Sequence, residues 1–170
     1  MNETRIHITQ GQFATGASPD LVITTLLGSC VAVCLWDEQK GLGGMNHMLL
    51  ARACAGSQAQ TLSGLQAMEL LINDLLKLGA ARHRLQAKAF GGARMVNGLS
   101  DIGQQNVEFT EHFLAQEGIP LTTSSFGGTH ARNLRFWPAT GRALQKMTHP
   151  ETKVVEAEPP MPSGQGVELF

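Results

Sequence analysis

The sequence predicts one domain of mixed α and β structure, on three observations. Strand-like apolar runs occupy the first and last thirds of the chain, two stretches of helical period lie between them, and glycine or proline stands at the junctions. At 170 residues, 42% of them hydrophobic, the chain is long enough for one sizeable core.

The strands come first. Arg5 to Phe13 alternates weakly and reads as a strand, Gly16 to Pro19 as a turn, and Leu21 to Leu26 as a second strand rich in β-branched residues. Val31 to Trp36 is apolar at every position, the pattern of a strand buried on both faces. A turn region, Asp37 to Gly44, leads to a strand over Met45 to Leu50.

From Thr61 to Leu78 the period changes. Leu62, Leu65, Met68, Ile72, Leu75 and Leu76 recur at helical spacing as a core stripe, and Gly79 stands where the helix stops. A short strand, Leu85 to Phe90, ends at Gly91-Gly92. A second helix is predicted over Ile102 to Gln116, closed by Gly118 and Pro120. Leu121 to Ser125, Asn133 to Phe136 and Arg142 to Met147 complete the strands.

Composition narrows the function. Net charge is −1, charged residues are 16%, and tyrosine is absent, so neither a nucleic-acid nor an anionic-membrane partner is indicated. No run is long enough to span a bilayer, and the N-terminal residues lack the apolar core of a secretory signal. Three cysteines without framework spacing fit reduced thiols in a cytoplasm. Four of the seven prolines fall in 150–162, and residues 150–170 carry one Lys against four Glu. The division is therefore a +2 body over 1–149 and a −3, Pro-rich tail over 150–170, read as disordered. Its last residues, V-E-L-F, read as a solvated end in preference to a docking peptide.

Chemistry concentrates in T-T-L-L-G-S-C-V-A-V-C-L-W-D, Thr24 to Asp37, and in G-L-G-G-M-N-H-M-L-L, which follows it. A hairpin turning at Glu38-Gln39 pairs Cys30 with His47, and directly opposed β-carbons lie roughly 4.5–5.5 Å apart. A loop two residues longer makes the two diagonal neighbours on one face. A loop one residue longer puts them on opposite faces, because side chains alternate. A thiol needs such a partner: an imidazolium stabilises the thiolate and can return its proton to a leaving group. The imidazole in turn needs its other nitrogen held, and Thr24 and Thr25 are both candidates. Backbone N–H groups after Gly28, at Ser29 and Cys30, are candidate oxyanion donors.

Cys34 and Cys54 have apolar neighbours and read as structural. Metal binding by Cys30, Cys34 and His47 is disfavoured, since strand residues four apart are separated by roughly 13 Å. His7, His83, His112, His130 and His149 are scattered and read as surface residues. Phe90-Gly91-Gly92-Ala93-Arg94 reads first as a tight turn and second as an anion-cradling loop, which keeps Gly91 and Gly92 as oxyanion or substrate-binding candidates.

L-G-S-C-V-A-V-C-L-W-D, G-L-G-G-M-N-H-M-L-L, K-A-F-G-G-A-R-M and I-G-Q-Q-N together resemble the CheD family, chemoreceptor glutamine deamidases of bacterial chemotaxis. The resemblance runs from about Thr24 to Met147; S-S-F-G-G-T-H-A-R matches more loosely. It implies an α/β (α+β) layered sandwich, mixed β-sheets flanked by helices, of the cysteine deamidase type shared with bacterial toxins. It implies Cys30 as nucleophile, His47 as base and Thr24, six residues before the cysteine, as the third member. It also implies a protein-glutamine glutaminase that converts receptor glutamines to glutamates through a Cys thioester, with no cofactor and no metal. The implied partners are cytoplasmic helices of methyl-accepting chemotaxis proteins and a CheC-type phosphatase. The alternative is a non-catalytic binding module that regulates such a phosphatase.

Overall fold

A computed structural model describes residues 2–50, 58–95, 101–148 and 167–170. The chain forms strands β1 (Thr4–His7), β2 (Phe13–Gly16), β3 (Leu21–Leu27), β4 (Val31–Asp37), β5 (Leu42–Asn46), β6 (Gln86–Gly91), β7 (Leu121–Phe126), β8 (Arg132–Trp137), β9 (Arg142–Met147) and β10 (Val167–Leu169), with helices α1 (Gln58–Lys77) and α2 (Ile102–Gln116). One five-stranded sheet has the order β1-β3-β8-β9-β10, the other β2-β5-β4-β6-β7. Both are mixed, since β1–β3 and β6–β7 are parallel and the other pairings antiparallel. The fold is an α+β sandwich of three layers: first sheet, second sheet, helices.

Strand β4 shows why. It is the middle strand of the second sheet, and its alternate side chains enter two cores. Ala32, Cys34 and Trp36 pack with Ile23, Leu27, Leu134 and Phe136 between the sheets. Val31, Val33 and Leu35 pack with Met68, Leu71, Ile72 and Leu75 of α1 and Val107 and Phe113 of α2. All seven β4 residues are buried, as its unbroken apolar run predicts.

Helix α2 has the predicted bounds, with Asp101 accepting from Gln104 N at 3.0 Å as its N-cap. Other expectations are corrected. Arg5 to Phe13 is not one strand: Gln12 N donates to Thr9 O, and Gly11, at φ +85°, turns the chain from one sheet into the other. Met45 to Leu50 is not one strand either, because β5 begins at Leu42 and ends at Asn46. On α1, Leu62 and Leu65 are 57% and 37% exposed; they lie off the helix face that buries Gly64, Met68, Leu71, Ile72 and Leu75. V-E-L-F is not a free end. β10 adds to β9, Phe170 and Ala143 exchange backbone bonds of 2.8 and 3.0 Å, and the Phe170 ring meets Phe90 edge-on at 5.2 Å. Residues 149–166, with His149 and most of the tail, and Cys54 lie outside the described residues.

Candidate active site

The β4–β5 hairpin decides whether Cys30 and His47 share a face. Its pairs are Cys34–Met45, Leu35–Gly44, Trp36–Gly43 and Asp37–Leu42, continued by a bridge between Val31 and Met48. The loop is thus two residues longer than the tightest reading, closed at Gly41, whose N–H donates to Asp37 O at 2.9 Å. His47 then faces Ala32, not Cys30 directly, and Cys30 is its diagonal neighbour on the same face. No hydrogen bond joins the two among the described residues.

Cys30 is 9% exposed, at the end of the loop Gly28-Ser29-Cys30. Three bonds hold that loop from below: Gly92 N to Cys30 O at 2.9 Å, Ala93 N to Gly28 O at 3.0 Å, and Asn106 Nδ2 to Ser29 O at 2.8 Å. Gly91 and Gly92 therefore form the floor beneath the thiol. A β-carbon at Gly91 would lie 2.1 Å from Cys30 O, and the Gly92 N–H is already spent. Neither glycine is the anion cradle that the sequence offered as a candidate. The N–H groups of Ser29 and Cys30, by contrast, donate to no carbonyl among the described residues, and the Cys30 N–H lies against its own sulfur.

His47 is 7% exposed. Its N–H donates to Gln12 O at 3.0 Å and its carbonyl accepts from Gly11 N at 2.9 Å, so the β1–β2 turn fixes its backbone. Its ring corrects the expected third member. Nδ1 lies 2.7 Å from the Thr25 hydroxyl, not the Thr24 hydroxyl, which instead lies 2.9 Å from His7 Nδ1. Consecutive strand residues point to opposite faces, and Thr25 is the one turned inward, 2% exposed. The Thr25 hydroxyl donates its only proton to Ile8 O at 2.7 Å, so toward His47 it accepts. Nδ1 therefore carries the ring proton and Nε2 is a free base.

Burial makes this a neutral pair. It pushes the Cys30 thiol up to about 11, against a smaller opposing effect of its own N–H. It pushes His47 down to about 4, helped by positive charge on His7. Both shifts favour thiol and imidazole over the thiolate and imidazolium that proximity suggests. Beside His47 opens a groove of about 290 Å³, walled by Gln12 and Phe13 on one side and by Ser63, Gln66 and Leu70 of α1 on the other. Cys30 is not part of its lining.

The other candidates are placed as follows. Cys34 is fully buried, and burial raises its thiol far above the usual range, so it packs as a core residue. His7, His83 and His112 are exposed and His130 is half-buried. Among the described residues no cluster of three His, Cys, Asp or Glu could hold a metal ion, and no helix is long and apolar enough to cross a membrane.

The family model for CheD chemotactic sensory transduction matches residues 49–147. A curated relative from Caulobacter vibrioides, "Probable chemoreceptor glutamine deamidase CheD", is 48% identical over 174 positions, covering 98% of this chain and 93% of the relative. The chain belongs to the CheD family. A second CheD relative with the same description, from Agrobacterium fabrum, is 48% identical over 177 positions, covering 98% and 96%. Both alignments extend over Thr25, Cys30 and His47, which the shorter CheD family match does not reach. Among solved structures, the hypothetical protein YfiH of Bacillus licheniformis is similar at a TM-score of 0.45 and 14% identity, over 66% of this chain and 49% of that one.

Two site residues were not singled out in the sequence. Asn106 appears there only as the last letter of I-G-Q-Q-N. Arg132, 1% exposed, donates to Gly91 O and Gly127 O at 2.8 Å each and so ties the floor of the loop to the neighbouring turn.

Proposed function

We propose that this protein is a cysteine-dependent glutamine deamidase acting on the side-chain amides of chemoreceptor helices in the cytoplasm. The observation that carries it is the His47 ring: Nδ1–H is held by Thr25, Nε2 is left as a base, and Cys30 lies on the same face of the hairpin. The description of the CheD relatives as chemoreceptor glutamine deamidases supports the substrate class.

His47 Nε2 takes the thiol proton as Cys30 Sγ attacks the carboxamide carbon. The C=O pair moves to oxygen, and N–H groups of Ser29 and Cys30 receive the oxyanion. On collapse the C–N bond breaks and His47 gives its proton to the nitrogen, which leaves as ammonia. Water then loses a proton to Nε2 and attacks the thioester carbon. The C–S bond breaks, His47 returns the proton to sulfur, and glutamate is released. No step needs a metal or cofactor.

The test is ammonia release from a purified receptor cytoplasmic fragment, with mass spectrometry for each Gln→Glu conversion. Release by wild type and its loss in Cys30→Ala and His47→Ala is the expected result. A folded wild type that converts no glutamine on several receptors would leave the binding module, partnered with a CheC-type phosphatase, as the function.

A further inference from the structure

We propose, resting on the deamidase reading and deepening it, that Asn106 is a positioning residue: it sets the plane of the Ser29–Cys30 peptide and thereby aims the Cys30 N–H at the oxyanion. Ser29 C=O and Cys30 N–H are opposite ends of one planar, trans peptide unit. Asn106 Nδ2 holds the oxygen toward α2 at 2.8 Å, which points the N–H away from α2. That N–H has no carbonyl acceptor among the described residues. A donor held in place with no carbonyl to satisfy it, facing only the sulfur of the nucleophile, is what oxyanion stabilisation requires.

The other end of the same amide reaches the base. Asn106 Oδ1 accepts from Leu50 N at 3.0 Å, three residues after His47, where Met48 and Val31 exchange backbone bonds of 2.8 and 3.0 Å. One side chain thus spans the segment that ends in the nucleophile and the segment that follows the base.

Its setting argues against a passive filler. Asn106 is 0% exposed on a helix face otherwise made of Gly103, Val107, Thr110, Phe113 and Leu114. An amide so buried is costly unless its groups are bonded, and here both ends are. Gly103 makes the reach possible: a β-carbon there would lie 2.5 Å from Gly92 O and 2.6 Å from Ala93 O. The glycine lets α2 rest on the loop floor, and the asparagine one turn later meets Ser29. This accounts for the glycine and asparagine of I-G-Q-Q-N.

The test is Asn106→Leu, which keeps roughly the size of the side chain and adds no charge to this buried position but cannot donate to Ser29 O. Three quantities are read on purified full-length protein. The first is kcat and KM for the receptor fragment. The second is alkylation of Cys30 by iodoacetamide, a displacement of iodide that creates no oxyanion. The third is binding of a peptide with an aldehyde in place of the glutamine carboxamide; Cys30 Sγ bonds to its carbon, the C=O pair goes to oxygen, and the thiol proton ends on that oxygen. Loss of a whole oxyanion donor costs about 10²–10³ in kcat, so a misaimed one is expected to cost about tenfold to a hundredfold. KM and alkylation are expected to stay within about twofold while aldehyde binding weakens about tenfold. A folded variant with wild-type kcat overturns the proposal, and so does alkylation that falls in step with kcat, since Asn106 would then hold the whole loop. If wild type deamidates nothing, the deamidase reading fails, and the aldehyde arm still decides: unchanged binding overturns Asn106, weakened binding supports it. Should Asn106→Leu not fold, the smaller Asn106→Ala is read on the same three assays.

Discussion

Thr25 Oγ1 lies 2.7 Å from His47 Nδ1 and gives its own proton to Ile8 O, also at 2.7 Å. The hydroxyl links the first sheet to the base and selects the ring tautomer that leaves Nε2 bare. Thr25→Val removes both bonds, and a general base contributes about 10²–10⁴ to rate when correctly held. We expect kcat to fall by about tenfold to a hundredfold in Thr25→Val, with recovery in Thr25→Ser. Thr24→Val, which frees only the exposed His7, should stay within about twofold. Steady-state kinetics on the receptor fragment checks this, and a larger loss in Thr24→Val would restore Thr24 as the third member.

With the thiol pushed up to about 11 and the imidazole down to about 4, the pH profile follows. Base and acid are both in their working forms between those values, so kcat/KM should be flat across neutral pH. Alkylation of Cys30 by iodoacetamide needs thiolate and should instead climb about tenfold per pH unit from neutrality toward about 11. A rate already level at pH 7, followed on the Cys30 peptide by mass spectrometry, would show a preformed thiolate–imidazolium pair.

Asp37 closes the β4–β5 turn. Burial pushes its carboxyl up, but hydrogen bonds from Arg84, Ala81 N and Lys40 N, with the Arg84 charge, outweigh this and hold it at about 2. A depressed carboxyl contributes stability that is complete above its unfolded pKa and lost as pH falls. From its ordinary 3.8 to about 2, the shift corresponds to about 2 kcal/mol. Urea midpoints of wild type should therefore drop between pH 4 and 2, more steeply than those of Asp37→Asn. Equal slopes would remove Asp37 from the acid response. His47, lowered from 6.5, has the same sign at higher pH, with stability lost between about 6.5 and 4 in wild type and retained in His47→Gln.

The end of the chain offers a direct check on β10. Lys88 Nζ donates to Phe170 O at 2.8 Å and to Gly141 O at 2.7 Å, so a half-buried cation depends on the last residue. Deleting residues 167–170 should speed hydrogen exchange of the Ala143 amide, whose acceptor is Phe170 O. Unchanged exchange would mean that the strand does not protect that edge.

Local pattern determined much of this protein. An apolar run without alternation places β4 between two cores, helical period and a cap bound α2, and strand parity puts Cys30 and His47 on one face once the loop length is even. These depend on the backbone repeat alone. The repeat says that Thr24 and Thr25 point in opposite directions, but not which of them meets the histidine. That depends on which face of β3 the second sheet covers, and only the stacking of the layers decides it. The same holds for Leu62 and Leu65, helical in spacing yet off the helix face that is buried, and for V-E-L-F, polar in company yet seated on β9. Asn106 is the furthest case: a lone amide on an apolar helix face acquires meaning only when Ser29 and Leu50, distant in sequence, are brought to its two ends.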